Sequence, residues 1–396
     1  MVDAHALTRL VGDVADFLDV TFGQASLHVP ASGRPIGAGD LLTIDDVDHL
    51  VAATGLRSPG FRLVRQGETL PVSRVTRKVR IGSRPVDDLV DVAAVHREVG
   101  AGATLVLQGL HRSFAPVASF CRDLERTLTH PVQANAYLTP PVAQGLDLHE
   151  DPHDVFAVQS YGSKRWVVHP PDGGPAWDLE LRPGDVLYLP AGTRHAAQTV
   201  DDASLHLTIG VRTVTWRRII EQAVDAVLAG DADLDRSLPA GWAENPGDLV
   251  ATATVTVQRV AQRLADATDH PIVIEREAER FWGSRTPDRS GGLRDIIELD
   301  RVDDRTPLRR RGDVSVRVLG VGASPQSPSA DIEVVLADRT LRLPASVAPA
   351  LHRVIAADRL RPGDLDDLMD GPSRLVLTRR LVREGVLTIE RDPVGA

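Results

Sequence analysis

Between Ala101 and about Val211 the sequence is cut into short apolar runs, among them Thr104-Leu105-Val106-Leu107, Val155-Phe156-Ala157-Val158, Trp166-Val167-Val168 and Val186-Leu187-Tyr188-Leu189. Gly, Pro and Asp turn signals separate them at intervals of roughly ten residues, the pattern of short strands in a barrel or sandwich. A closed β architecture is the simplest account of this stretch. Helical periodicity lies on either side of it. Leu7, Leu10, Val11, Val14, Phe17 and Leu18 recur at helical spacing with Asp13, Asp16 and Asp19 between them. Ile219, Ile220, Ala223, Val227 and Leu228 form one stripe over 215–228, and a third helical stretch covers 249–267.

Two segments rich in Gly, Ser, Pro and charge, 283–292 and 320–329, mark boundaries or exposed loops. The C-terminal stretch predicts a strand pair over 331–336 and 339–343, helices over 346–358, 364–369 and 372–384, and a short strand over 386–390 after Gly385. Three short helices followed by a β element suggest a winged helix. The predicted layout is a β-barrel domain over 1–213, a helical segment over 214–285 and a winged-helix-like domain over 286–396. A chain of 396 residues accommodates this at about 100 to 200 residues per domain.

The composition, 42% hydrophobic and 25% charged, is that of a folded globular protein. No apolar run reaches the roughly 18 residues that a membrane helix needs. Residues 1–20 lack the basic-then-apolar order of a secretory signal, so a soluble, cytoplasmic protein with no membrane partner is expected. The single cysteine, Cys121, excludes a disulfide within the chain and a cysteine-built zinc or iron–sulfur site. A metal here must use His and carboxylate.

The net charge of −10 disfavours long contact with a polyanion, although a localised basic patch is compatible with it. The helix predicted over 372–384 would be the recognition helix of a winged helix, and it carries Arg374, Arg379, Arg380 and Arg383 against Glu384. From Ser346 onward, however, eight arginines face eight acidic groups, which leaves no basic footprint. A protein-contact or dimer-supporting role is at least as consistent, and direct nucleic-acid binding is not expected. Of the 45 basic residues only Lys78 and Lys164 are lysines.

The strongest chemical signal is His149-Glu150-Asp151, followed by His195, 44 residues beyond Asp151, at the end of Arg182-Pro183-Gly184-Asp185 to Thr193-Arg194-His195. In a strand, residues two apart share a face, so His149 and Asp151 can both project into a barrel while Glu150 faces away. Pro183-Gly184-Asp185 opens a second strand, and Pro190-Ala191-Gly192 bends the chain so that His195 can return toward the barrel mouth. Two imidazoles and one carboxylate on one face leave coordination positions free for an organic cosubstrate and dioxygen, the arrangement of non-haem Fe(II) oxygenases. His-x-Asp alone arises often by chance, and its surroundings are what raise its weight.

Those surroundings are Asn135-Ala136-Tyr137-Leu138-Thr139-Pro140-Pro141, Gln144-Gly145, Asp154-Val155-Phe156-Ala157-Val158-Gln159, Gly162-Ser163-Lys164-Arg165-Trp166, the Gly184 to His195 segment, and Ser204-Leu205-His206-Leu207-Thr208. Taken with His149-Glu150-Asp151, they make the chain resemble the JmjC-type cupin oxygenases, and within these the ribosomal oxygenases that hydroxylate ribosomal proteins. The resemblance implies a mixed α and β fold: a double-stranded β-helix, then a helical dimerisation segment, then a C-terminal winged helix. It implies Fe(II) on His149, Asp151 and His195, with 2-oxoglutarate and O2 as cosubstrates and Lys164 paired with the distal carboxylate of 2-oxoglutarate. A dicarboxylate inside a barrel does need a cation, because an unpaired buried charge costs several kcal/mol.

Asn135 and Tyr137, two apart, can line one wall of the pocket and are similar to family residues that meet substrate or cosubstrate; a turn-forming asparagine and a core tyrosine is the equal alternative. Thr139, Ser204 and His206 carry less weight, and His153 is expected at the surface or behind the ligands. Bacterial arginine-hydroxylating relatives tend to have arginine where this chain has Lys164, which is more like the histidine-hydroxylating branch. Glu150 stands where many relatives carry an aromatic residue and Leu146 where they usually have Phe, and both departures bear on substrate choice.

The expected activity is hydroxylation of a protein side chain, a histidine or arginine of a ribosomal protein, by a homodimeric enzyme. The competing classes are a small-molecule oxygenase of secondary metabolism and a non-enzymatic metal-binding cupin with a winged helix that regulates DNA. The acidic balance counts against the regulator. Nothing reads as a methyl-lysine cage, which disfavours a chromatin demethylase.

Overall fold

The computed structural model of the chain describes residues 5–33, 37–141, 146–199, 202–266, 270–311, 316–320, 331–336 and 338–391. Gln144 and Gly145 of the motif set, residues 321–329 of the expected C-terminal loop and the side chain of Leu146 lie outside what is described. The chain divides into two compact units, Met1–Thr213 and Val214–Ala396.

The first unit is built on two antiparallel sheets. The larger runs in the order Leu27–Val29, Val186–Leu189, Asp154–Tyr161, Ser204–Val211, Val132–Thr139, Thr104–Leu107, Phe61–Arg65, Glu68–Thr69. The smaller runs Trp177–Leu181, Lys164–His169, Arg194–Gln198, Leu146–His149. The crossovers between these two sheets, with mostly non-consecutive neighbours, make this the double-stranded β-helix of a cupin, in agreement with the expected mixed α and β class.

Strand alternation explains why several runs read as continuously apolar: both faces are buried. Val155, Ala157, Leu187 and Leu189 pack with Trp166, Val168 and Ala197 of the smaller sheet. Phe156, Val158, Val186 and Tyr188 point the other way, into a core shared with Leu7, Leu10 and Phe17 of the N-terminal segment. In Ser204–Val211, Leu205, Leu207, Ile209 and Val211 join that same core, so the intervening His206 and Thr208 face inward.

Two expectations change. The stretch from Ala101 is not strand throughout, because helices Leu110–Ser113 and Ala115–Leu128 interrupt it. Their cue is a proline in the first turn, followed by buried Val117, Phe120, Cys121, Leu124 and Leu128 at helical spacing. The N-terminal helix, for its part, is broken at Gly12 into His5–Val11, Val14–Asp16 and a π-helical turn Phe17–Thr21.

The second unit begins with helices Trp216–Ala229, Val250–Asp266 and His270–Gly283. Beyond these come helices Gly292–Glu298, Ala348–Ala356 and Gly371–Arg383, a sheet Arg359–Leu360, Leu308–Arg310, Leu387–Ile389, and a second sheet Arg317–Gly320, Asp331–Val335, Thr340–Pro344. The helix expected over 364–369 is a 3-10 turn, Pro362–Leu365, opened by its proline. Leu308, Leu351, Val354, Leu365, Leu381 and Val386 form the core of this part.

Candidate metal centre

Leu146–His149 pairs with Arg194–Gln198 so that His149 lies directly opposite His195. Cross-strand partners project from the same face, and the two imidazole centroids are 4.3 Å apart. The strand ends at His149, so Asp151 is not held on a strand face by alternation. A hydrogen bond across the gap holds it instead: Gly192 N–H donates to the Asp151 carbonyl at 2.8 Å. Asp151 Oδ2 then lies 3.7 Å from His195 Nε2, while Glu150 faces solvent. The three side chains offer ligand atoms that all fall within 4.8 Å of one another.

Both imidazoles are oriented by their own chain. The Asp147 carbonyl lies 2.8 Å from His149 Nδ1, and the Thr193 carbonyl 2.9 Å from His195 Nδ1. Each carbonyl can only accept, so Nδ1 carries the proton and Nε2 keeps its lone pair. Burial lowers the pKa of His195 below the usual histidine value, which favours this neutral form.

The loop that delivers His195 is pinned from behind. Gly192 turns it with φ of +79°, a left-handed conformation in which glycine is unstrained. Ala191 N–H donates to Asp154 Oδ1 at 2.9 Å, and the Tyr188 hydroxyl donates to Asp154 Oδ2 at 2.5 Å while accepting from Gly23 N–H at 2.7 Å. Asp154 is 1% exposed. Its carboxylate ties one ligand-bearing loop to the N-terminal segment.

A cavity of about 260 Å³ extends from the three ligands between the sheets. Its far end holds Lys164, 4% exposed, with Nζ 3.4 Å from the Thr139 hydroxyl. Gly162, with φ of +58°, makes the turn before it; a Cβ there would lie 1.8 Å from the Ala203 carbonyl oxygen. Among the described residues no carboxylate pairs with Lys164, and burial brings its pKa down to about 7. Tyr137 stacks on His206 at 4.9 Å between ring centroids, and Trp166 stacks on His195 at 5.8 Å. His206 is buried, and that burial holds its pKa well below the usual value, so it is a neutral wall.

Of the sequence-derived residues, His149, Asp151, His195, Lys164 and Tyr137 line one cavity, as do Thr139 and His206. Asn135 is not among the lining residues; its Oδ1 accepts from Gly109 N–H at 2.9 Å, and Thr208 beside it on the next strand faces the cavity. Ser204 accepts from Gln159, and His153 Nε2 lies 2.9 Å from Gln133 Nε2, outside the ligand set. Sequence reasoning missed the wall contributed by Arg62, Val64, Thr104 and Val106. Each pair sits two apart in a strand, but nothing local marks those strands as neighbours of residues beyond 130. Burial raises the pKa of the Tyr137 hydroxyl, and the positive charge of Arg62 nearby opposes that rise.

Residues 110–219 match the JmjC domain model. NO66 of Dictyostelium discoideum, a bifunctional lysine-specific demethylase and histidyl-hydroxylase, is 28% identical over 54% of this chain and 44% of its own length. Its Branchiostoma floridae counterpart is 34% identical over 42% of this chain and 29% of its own. Ribosomal oxygenase 2 of Rattus norvegicus is 30% identical over 34% of each. The chain thus spans less than half the length of these curated relatives. The Escherichia coli ribosomal oxygenase YcfD, solved with cobalt and succinic acid, superposes with a TM-score of 0.54 at 19% identity, covering 96% of this chain and 99% of that one. A YcfD structure with cobalt and 2-oxoglutarate gives 0.53 at 20% over 96% and 99%.

Proposed function

We propose, from a JmjC domain carried on the fold of a ribosomal oxygenase, that this chain is an Fe(II)- and 2-oxoglutarate-dependent dioxygenase that hydroxylates a histidine or arginine side chain of a ribosomal protein. The observation that carries it is the tautomer lock at His149 and His195, which turns two Nε2 lone pairs toward the Asp151 carboxylate. Two imidazoles and one carboxylate fit a ferrous ion and leave positions open on it. When bound, the iron with 2-oxoglutarate supplies the oxidative chemistry, consuming O2 and releasing succinate and CO2.

The chain's own residues then have definite tasks. His149, Asp151 and His195 hold the metal, and Lys164 with the Thr139 hydroxyl takes the distal carboxylate of 2-oxoglutarate. Trp166, Ala197 and Val155 keep the enclosed end dry, which strengthens that ion pair. Tyr137, held by stacking on His206, forms the wall past which a substrate side chain would reach the metal. Asn135 acts indirectly, by holding the Gly109 backbone.

Anaerobic Fe(II) and 2-oxoglutarate should together give a visible metal-to-ligand absorption band, and His149→Ala should remove both the band and succinate formation. A missing band together with unchanged succinate output from the variant would end this reading. One ribosomal protein should be an oxygen atom heavier in wild-type cells than in a deletion strain; identical masses would favour a metabolite substrate.

Asp154 and Tyr188 hold the ligand loop without touching the metal. Asp154→Ala is expected to weaken Co(II) binding roughly 10- to 100-fold, as loss of an outer hydrogen-bond partner does, and Tyr188→Phe less. Calorimetric titration checks this, with equal affinities as the contrary result.

Residues 214–285 are proposed as a dimerisation segment and 286–396 as a winged-helix-like domain. Exposed Trp216, Ile220, Val255 and Val257 on the helices support the first. A mass of about twice the chain by light scattering would agree, and a monomer unaffected by Trp216→Asp would not. The arginines of Gly371–Arg383 argue against a DNA-reading helix. Arg374 pairs with Asp304 at 2.6 Å, Arg379 donates to the Val302 carbonyl at 2.7 Å, and Arg380 pairs with Glu384 at 2.6 Å.

A further inference from the structure

A denser group of exposed basic residues lies in the first unit. Residues 71–86 contain five basic residues, Arg74, Arg77, Lys78, Arg80 and Arg84, and no acidic one, in a chain of net charge −10. They lie on or next to a hairpin, Thr76–Ile81 with Arg84–Val90, that forms its own two-stranded sheet apart from the other two sheets of the first unit. Val86 and Val90 are buried, and the bonds Val90 N–H to the Leu56 carbonyl and Asp91 N–H to the Val75 carbonyl, 2.9 Å each, fix its base.

Its exposed side chains are largely cationic and project from both faces, Lys78 and Arg80 from one and Arg77 and Arg84 from the other. All five basic residues are exposed, with the Lys78 side chain 82% accessible. Arg74 is paired with Glu98, and Lys78 has only a 3.9 Å contact to Asp87, whose side chain is 65% accessible. Arg80 donates to the Ser83 carbonyl within the turn, and among the described residues Arg77 and Arg84 pair with no carboxylate. Four cations are therefore available on one narrow ribbon.

We infer that this hairpin is a contact surface for the phosphate backbone of a single nucleic-acid strand. A linear polyanion suits a projecting ribbon of separate cations, because each phosphate contact releases condensed counterions and needs no pocket. A folded acidic partner would require an apolar centre to exclude water, and the exposed large apolar side chains of this stretch stand at its opposite ends, Val72 before the first strand and Ile81 at the tip. The inference goes beyond the proposed oxygenase activity and does not depend on it.

Fluorescence anisotropy of a short labelled oligouridylate, titrated with the full chain at several salt concentrations, tests it. Four contacts predict a log–log salt slope near −3, or about 50-fold weaker binding between 50 and 200 mM salt. The variant Arg77→Gln/Lys78→Gln/Arg80→Gln/Arg84→Gln should abolish binding, and Arg77→Gln or Arg84→Gln alone should each reduce the slope by about 0.7. These are exposed side chains, so folding and Co(II) affinity should match wild type. Flat anisotropy at the lowest salt, binding untouched by the substitutions, or equal competition by a polyglutamate peptide would each overturn the inference.

Discussion

Asp151→Ala is expected to lower 2-oxoglutarate turnover by roughly a thousandfold or more, whereas Glu150→Ala next to it should stay within about threefold. Loss of a partner that merely orients a ligand costs about 10- to 100-fold, and Asp151 would be the sole anionic ligand and the third of only three. Glu150 is exposed and turned away, where substitutions change stability by less than about 0.5 kcal/mol. Succinate formation under saturating Fe(II) measures both. Asp151→Asn separates charge from shape: it keeps an oxygen at the same reach but removes the negative charge that offsets the cation. Comparable activity in Asp151→Ala and wild type would show that the cluster at 149, 151 and 195 is a polar contact of the barrel and nothing more.

The cluster was legible because its parts obey local rules: a His-x-Asp spacing, a turn-strand-turn leading to His195, and a lysine beside a Gly-Ser turn. The face shared by His149 and Asp151 was anticipated for a partly wrong reason, since the strand ends at His149 and Gly192 holds Asp151 in place. That hydrogen bond joins residues 41 positions apart, and no periodicity reports it. Alternation places Asn135 on the Tyr137 face, opposite Thr208, and its carboxamide is taken up there by the Gly109 backbone, which only the folded helix Leu110–Ser113 brings within reach. The wall made by Arg62 and Thr104 depends on strand order, Phe61–Arg65 beside Thr104–Leu107 beside Val132–Thr139, and order is a property of the whole sheet. The arginines of Gly371–Arg383 show the converse. A helix face dense in arginine reads as a nucleic-acid surface until their acceptors, Asp304, Val302 and Glu384, are seen to lie within the same unit.

Lys164→Met is expected to raise the KM for 2-oxoglutarate roughly 100-fold, equivalent to about 3 kcal/mol for removing one partner of a buried charge pair, and at the same time to stabilise the free protein. Both effects have one cause. The ammonium is 4% exposed and among the described residues its hydrogen-bond partner is Thr139 alone, and a hydrogen bond worth about 1 kcal/mol does not offset a desolvation cost of several. With the folded pKa lowered to about 7 and the unfolded one near 10.4, the lysine is charged in both states below pH 7, and the cost of burying it is then fully present. Between about pH 7 and 10.4 the unfolded chain binds more protons, so this group's contribution to stability rises with pH. Lys164→Met should therefore gain most in Tm near pH 6, at about 2–4 °C per kcal/mol for a domain of this size, with the advantage shrinking as pH climbs. Cosubstrate binding follows the opposite sense. It needs the ammonium, so the wild-type KM should increase as pH passes 7, approaching tenfold per unit. Lys164→Met should show a high and flat KM, and Lys164→Arg, charged at every accessible pH, a flat one nearer wild type. A wild-type KM independent of pH between 6 and 9, or a Lys164→Met variant no more stable than wild type at pH 6, would mean that the ammonium already has a partner in the free protein.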